Sequence, residues 1–308
     1  MNYKEYTPGV HKLLHHLEHL NLMTNGNPVA PIHVSVWATN NCQLNCSYCC
    51  CRKMAREGVE LNIDLYKNAI SVLYRYGTRA VEWSGGGEPL LWTHFSEAVD
   101  FTYKLGLKQS LITNGLALKD ISIETLSKFS WIRISVQSVE HAKKIDYQRI
   151  PVKTSLSYIV PNNADVSTLT KLQKFAKQKS IIVRVATQKP CSEWREAIVS
   201  DAVERLGEPL FFSKKTSGQS NGCYIAWIRA AIDWRGNFLP CPAIQTSNEF
   251  DGLIPDEFIL CNIADIEKWI LDNRLHDLGY NCAFCNCGKE ENDFIHELLE
   301  EVADVDFV

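Results

Sequence analysis

No stretch of the sequence approaches the ~18 uninterrupted apolar residues that a membrane helix needs. The polar N-terminus, Met1 to His19, lacks the basic-then-apolar order of a signal peptide. Charge of one sign is also missing. The 32 Lys and Arg against 36 Asp and Glu leave a net charge of −4, which asks for neither nucleic acid nor an anionic membrane as partner. Internal repeats and low-complexity tracts are absent. With 45% hydrophobic and 22% charged residues the mixture is that of an ordinary globular chain, which excludes a disordered or fibrous one. The expectation is a soluble, cytoplasmic protein whose 308 residues make one large domain or two modest ones.

Cysteine, in contrast, is abundant: there are 12. Without a sign of export, clustered thiols point to metal or redox chemistry rather than to disulfides. Cys42, Cys46, Cys49, Cys50 and Cys51 stand near the start. Cys223, Cys241, Cys261, Cys282, Cys285 and Cys287 stand near the end, and Cys191 lies between. The distribution reads as two metal sites at opposite ends of one chain.

Between the two groups, strand-like and helix-like segments alternate. Strands are read at Ile32–Thr39, Arg79–Ser84, Gln109–Thr113, Trp131–Gln137, Lys153–Val160 and Ile181–Ala186. Helices are read at Leu61–Tyr76, Thr93–Leu105, Ile123–Phe129 and Val166–Gln178. This alternation predicts an α/β fold: a parallel sheet with crossover helices, curved into a partial (β/α)6 TIM-like barrel, with a small C-terminal cysteine-rich hairpin and helix domain. The expected division is an N-terminal helical segment (1–29), the barrel (30–190), a connector (191–222) and the cysteine-rich domain (223–308). In the first segment Leu13, Leu14, Leu17 and Leu20 form the apolar face of a helix that also carries His11, His15, His16 and His19. In the last, Ile225 to Pro240 reads as a hairpin turning at Arg235–Gly236–Asn237, followed by helices near Ile266–Arg274 and from Lys289 onward. Parallel α/β folds place their sites at the C-terminal ends of the strands. The first cysteines, Gly85–Pro89 and Thr113–Gly115 all fall there, and Trp83, at the end of strand two, stands as a candidate to line the mouth.

Cys42, Cys46 and Cys49 have the spacing C-x3-C-x2-C. Three thiolates on one loop can hold three irons of a [4Fe–4S] cube and leave the fourth iron open. Structural zinc favours C-x2-C pairs and four protein ligands, which this loop fits poorly. Cys50 and Cys51 fall outside the triad and read as buried or spare thiols.

With Tyr48 before the third cysteine, this spacing resembles the signature of the radical S-adenosylmethionine (SAM) enzymes. Ser84-Gly85-Gly86-Gly87-Glu88-Pro89, Ile112-Thr113-Asn114-Gly115 and Arg133-Ile134-Ser135-Val136 resemble the family's motifs after or on strands two, three and four. The resemblance covers about residues 30 to 187. It implies a SAM-binding [4Fe–4S] cluster on Cys42, Cys46 and Cys49, with SAM contacted by Tyr48, Gly85, Gly86, Gly87, Glu88, Thr113, Asn114 and Ser135. It also implies an electron donor such as flavodoxin or ferredoxin. Arg184 matches a position where some relatives bind the cofactor carboxylate. Cys223, Cys241, Cys282 and Cys285 resemble the four-cysteine form of the family's auxiliary-cluster domain (twitch, the shortened form of SPASM), implying one auxiliary [4Fe–4S] cluster, with zinc as the competing metal. Cys261 and Cys287 are left over.

The activity so implied is reductive cleavage of SAM and hydrogen-atom abstraction from a small molecule of sugar, cyclitol or nucleotide type. Two alternatives stand beside it: a peptide-modifying enzyme or epimerase, and a non-catalytic iron–sulfur or zinc protein. Cys191, just past strand six, is the candidate thiol to return a hydrogen atom to a substrate radical. A substrate (small molecule or peptide) and the reductant are the expected partners; membrane and nucleic acid are not.

Overall fold

The structure, a computed structural model, describes residues 9–51, 56–188, 191–214, 218–244, 254–280, 282 and 288–300. Cys285 and Cys287 lie outside the described residues. Two short helices open it, α1 (Val10–Leu13) and α2 (Leu17–Thr24). They replace the single expected helix. Only Leu13 and Leu20 of its apolar face are buried, while Leu14 is 53% and Leu17 64% exposed, because the break around His15–His16 rotates the second helix away from the first.

Six strands and their helices follow: β1 (His33–Val36), α3 (Ile63–Arg75), β2 (Ala80–Trp83), α4 (Phe95–Lys104), β3 (Lys108–Thr113), α5 (Ile123–Leu126), β4 (Trp131–Val136), α6 (Val139–Lys143), β5 (Lys153–Val160), α7 (Ser167–Lys179) and β6 (Ile182–Thr187). Local chemistry starts several of these helices. Asn62 accepts from the Leu65 amide at the head of α3, and Ser122 and Ser138 do the same for α5 and α6.

The expected connector is in fact structured. It holds α8 (Glu193–Leu206), capped by Ser192, and a strand β7 (Leu210–Phe212) that pairs parallel with β6. Few apolar residues, chiefly Val199, Ala202 and Val203, turn α8 toward the core, so its charged sequence shows little helical period. Three residues of β7 are too few for a strand pattern to register.

The chain continues through β8 (Arg229–Ile232), β9 (Asn237–Leu239), β10 (Cys261–Asn262), α9 (Ile266–Asp272) and α10 (Lys289–Leu299). The expected hairpin forms as β8 and β9, and it extends the main sheet. The order is β10-β9-β8-β1-β2-β3-β4-β5-β6-β7, with β8 parallel to β1 from His33↔Arg229 to Val36↔Ile232.

Strand parity separates two faces. Val34, Val36, Val81, Trp83, Leu111, Ile132, Ile134 and Val136 are buried toward the helices. Trp83 is fully buried there, against Tyr66 of α3 and Phe95 of α4 at ring distances of 5.3 and 5.7 Å. It therefore does not line the mouth; its neighbours Glu82 and Ser84 take the opposite parity. That inner face is polar. Ser35 donates to Glu82 Oε1 at 3.2 Å, and Ser135, Ser157 and Arg184 stand in register across β4, β5 and β6.

Candidate active site

The first cysteines leave the C-terminal end of β1 on a loop that is pinned at both ends. Thr39 Oγ1 donates to Val59 O (3.1 Å), Val59 N donates to Asn40 Oδ1 (2.9 Å), and Arg56 Nη1 donates to Asn40 O (3.1 Å) and Gly86 O (3.5 Å). Cys42, Cys46 and Cys49 are half-buried on this loop, and Cys42 and Cys46 each feel the charge of Cys49. Burial pushes the Cys42 and Cys46 thiols up, while hydrogen bonds from the Cys50 and Cys51 thiols hold Cys49 down. Cys51 is 3% exposed, packed with Trp37, Trp234 and Phe258.

Two amides from neighbouring strand ends reach the thiols. Gln137 Nε2 donates to Cys46 Sγ at 2.7 Å, and Asn114 Nδ2 to Cys42 Sγ at 3.9 Å. Asn114 also exchanges a pair of amide hydrogen bonds with Gln43 in the loop, at 3.2 and 3.3 Å. The Tyr48 ring stands beside Cys46, which together with burial raises its hydroxyl pKa.

The glycine loop after β2 packs directly on this support. Gly87 N donates to Thr39 O and Glu88 N to Asn41 O, both at 2.7 Å. A Cβ on Gly87 would lie 1.9 Å from Asn41 O, and one on Gly86 would lie 2.8 Å from Thr39 O. Gly86 (φ +63°) also takes the left-handed backbone that favours glycine. Glu88 is 2% exposed and accepts from Thr113 Oγ1 (2.5 Å), Asn114 N (2.8 Å) and Leu90 N (3.3 Å). Burial pushes its carboxyl up to about 7 against those donors. Glu88, Thr113 and Asn114 thus lock the ends of β2 and β3 together. Ser135 stands on the inner face of β4, in register with Ser157 of β5 and two residues beyond Arg133, which pairs with Ile112 of β3.

Three of the four C-terminal cysteines are described, and they share a neighbour. Burial, followed by the charges of Cys223, Cys282 and Cys241, raises the Tyr280 hydroxyl, whose proton is donated to Glu257 O at 2.7 Å. Tyr280 and Phe258 rings lie 4.7 Å apart. Cys261 sits apart on β10, pushed up to about 12 by burial and Asp265. Cys191 is half-exposed ahead of α8, its thiol on Ser192 O at 3.5 Å. Among the described residues no three Cys, His, Asp or Glu side chains close on the position of a single ion.

Gln43, Arg56, Gln137, His141 and Tyr280 went unread in the sequence, since their roles depend on strand ends that meet only in the fold. The polar pairs of the motifs offered the one available hint: Gln43 stands inside the cysteine run and Gln137 closes strand four. The donor chemistry fits a cube, with three thiols on one loop and amides aimed at two of them.

Residues 38–159 match the model of the Radical SAM superfamily. The PqqA peptide cyclase of Rhodopseudomonas palustris is 32% identical over 308 residues, covering 86% of this chain and 81% of that protein. The S-adenosylmethionine-dependent nucleotide dehydratase of Selenomonas ruminantium is 30% identical over 109 residues, covering 34% of this chain and 39% of that protein. Among solved structures, Streptococcus suis SuiB bound to precursor peptide SuiA superposes with a TM-score of 0.57 at 15% identity, covering 94% of this chain and 78% of that one.

Proposed function

The chain belongs to the radical SAM superfamily, whose enzymes use a [4Fe–4S] cluster and SAM, and from that membership we propose that its substrate is a peptide. The observation that carries this reading is the length of the match to a peptide cyclase: at 86% of the chain it runs far beyond residues 38–159, into the segments around the site. When bound, the cluster and SAM supply reductive cleavage of a sulfonium and a 5′-deoxyadenosyl radical able to take a hydrogen atom.

The chain's residues have the remaining tasks. Cys42, Cys46 and Cys49 would hold the cluster, with Asn114 and Gln137 at two of the sulfurs. Glu88 and Thr113 keep the strand ends in place, and Ser135 and Arg184 on the inner face offer polar groups to the SAM carboxylate. Tyr48 would lie against adenine. Cys223, Cys241 and Cys282, gathered near Tyr280, would hold an auxiliary cluster together with Cys285. Cys191 would give its thiol hydrogen to a substrate carbon radical, forming C–H and leaving a thiyl that the electron donor reduces. Flavodoxin or ferredoxin is the proposed donor.

A small polar substrate is the second reading, favoured by the polar inner face that Glu82, Arg133 and Arg184 give the sheet. The deciding experiment is anaerobic purification with iron, sulfide and zinc analysis, then dithionite reduction with SAM in the presence of cell-derived peptides or of a low-molecular-mass fraction. Release of 5′-deoxyadenosine driven by peptides, with a mass change in one of them, supports the peptide reading. Release driven by the small-molecule fraction alone replaces it with the second. About eight irons per chain indicate two clusters, and about four with one zinc make the C-terminal site structural.

A further inference from the structure

The amides that reach Cys46 and Cys42 come from different strands, Gln137 from the end of β4 and Asn114 from the end of β3. One imidazole joins the backbones of these two residues. His141, on α6, accepts at Nδ1 from Gln137 N (3.3 Å) and donates from Nε2 to Asn114 O (2.9 Å). A backbone N–H only donates and a carbonyl only accepts, so this pair of bonds requires the neutral ring with its proton on Nε2. The residue is 9% exposed, and its own N–H donates to Ser138 Oγ at 3.1 Å, so its base is anchored as well. Burial, the largest influence, lowers its pKa below the usual histidine value, in keeping with a neutral ring.

We propose that His141 is a positioning residue for the first cysteine loop: it ties together the backbones of Gln137 and Asn114, the two residues whose side-chain amides meet the sulfurs of Cys46 and Cys42. This rests on the reading that the loop carries the SAM-binding cluster. Hydrogen bonds to cysteine sulfurs set a cluster's reduction potential. A partner lying behind the ligands typically changes activity or affinity about 10- to 100-fold when removed. His141 touches no sulfur itself, so its effect passes through Gln137 and Asn114.

The test uses the full chain reconstituted anaerobically with iron and sulfide, and reads the electron paramagnetic resonance signal of the reduced protein with and without SAM. In His141→Ala, iron content should stay native, the SAM-dependent change in the signal should alter, and SAM cleavage should fall about 10-fold. His141→Gln, whose amide nitrogen reaches the place of Nε2, should recover part of both, and it carries the test if the alanine variant does not fold. An alanine variant with native iron, native signal and native cleavage overturns the proposal, as does a glutamine variant no better than alanine. In the iron-free chain, 15N-histidine spectra should contain a fixed Nε2–H tautomer signal that is lost in His141→Ala; a His141 ring that averages freely overturns the proposal too. Iron content unchanged by Cys42→Ala or Cys46→Ala would instead overturn the reading of the loop, whatever the His141 variants do.

Discussion

Thr113 donates its hydroxyl to Glu88 Oε1 across 2.5 Å, between the end of β3 and the loop after β2. The same carboxylate accepts from the Asn114 amide, and Asn114 reaches on to Cys42. Glu88 therefore acts on the cysteine loop from behind, through backbone placement.

The Glu88 carboxyl gives a pH signature. Burial lifts it from 4.5 to about 7, so between those values the folded chain keeps a proton that the unfolded chain releases. The associated stability is complete below the lower value and is lost as pH rises through the upper one. Glu88→Gln, neutral at every pH, should lack that slope in denaturant titrations across the window. A native slope equal to the variant's would show an ordinary carboxylate.

Gly87→Ala should destabilise the chain by about 2–4 kcal/mol, because its Cβ would meet Asn41 backbone rather than a flexible side chain. Gly58→Ala, with open space around it, should lose only about 1 kcal/mol from its left-handed backbone. Thermal melts of the two variants compare them directly. Equal losses would mean that the loop relaxes away from Asn41.

Cys42→Ala, Cys46→Ala and Cys49→Ala should each abolish SAM cleavage and remove about four irons per chain. Cys51→Ala, in a buried apolar setting, should keep the iron and lower stability modestly. Iron analysis separates the two sets, and loss of iron from Cys51→Ala with retention in Cys49→Ala would move the third ligand along the run.

Cys191→Ala should stop product formation while 5′-deoxyadenosine is still released. Chromatography of both species in one reaction mixture reads the two outcomes. Normal turnover by the variant removes Cys191 from the chemistry.

The strands were legible because their apolar residues are β-branched, short in run and separated by helices of clear period, as in Trp131–Val136 and Ile63–Arg75. The motifs were legible because spacing alone specifies three thiols on one loop. What escaped was whatever depends on side-chain direction or on distant partners. Trp83, a candidate for the mouth, faces the helices through one step of strand parity, and α8 hides behind its charges. His141 carries no local sign of its role, since its two partners are set by the ends of β3 and β4.

The direct pairing of β8 with β1 also bears on synthesis. His33 finds its neighbour Arg229 only after most of the chain has been translated, since nearly all the βα units lie between them. Closing that ladder is a long-range event, slow by topology and late in order. The first cysteine loop therefore emerges from the ribosome well before β8 can flank its strand, and its thiols spend that interval without the completed sheet. If the cluster on that loop needs the completed sheet, a nascent chain truncated before β8 should take up less iron than the full chain.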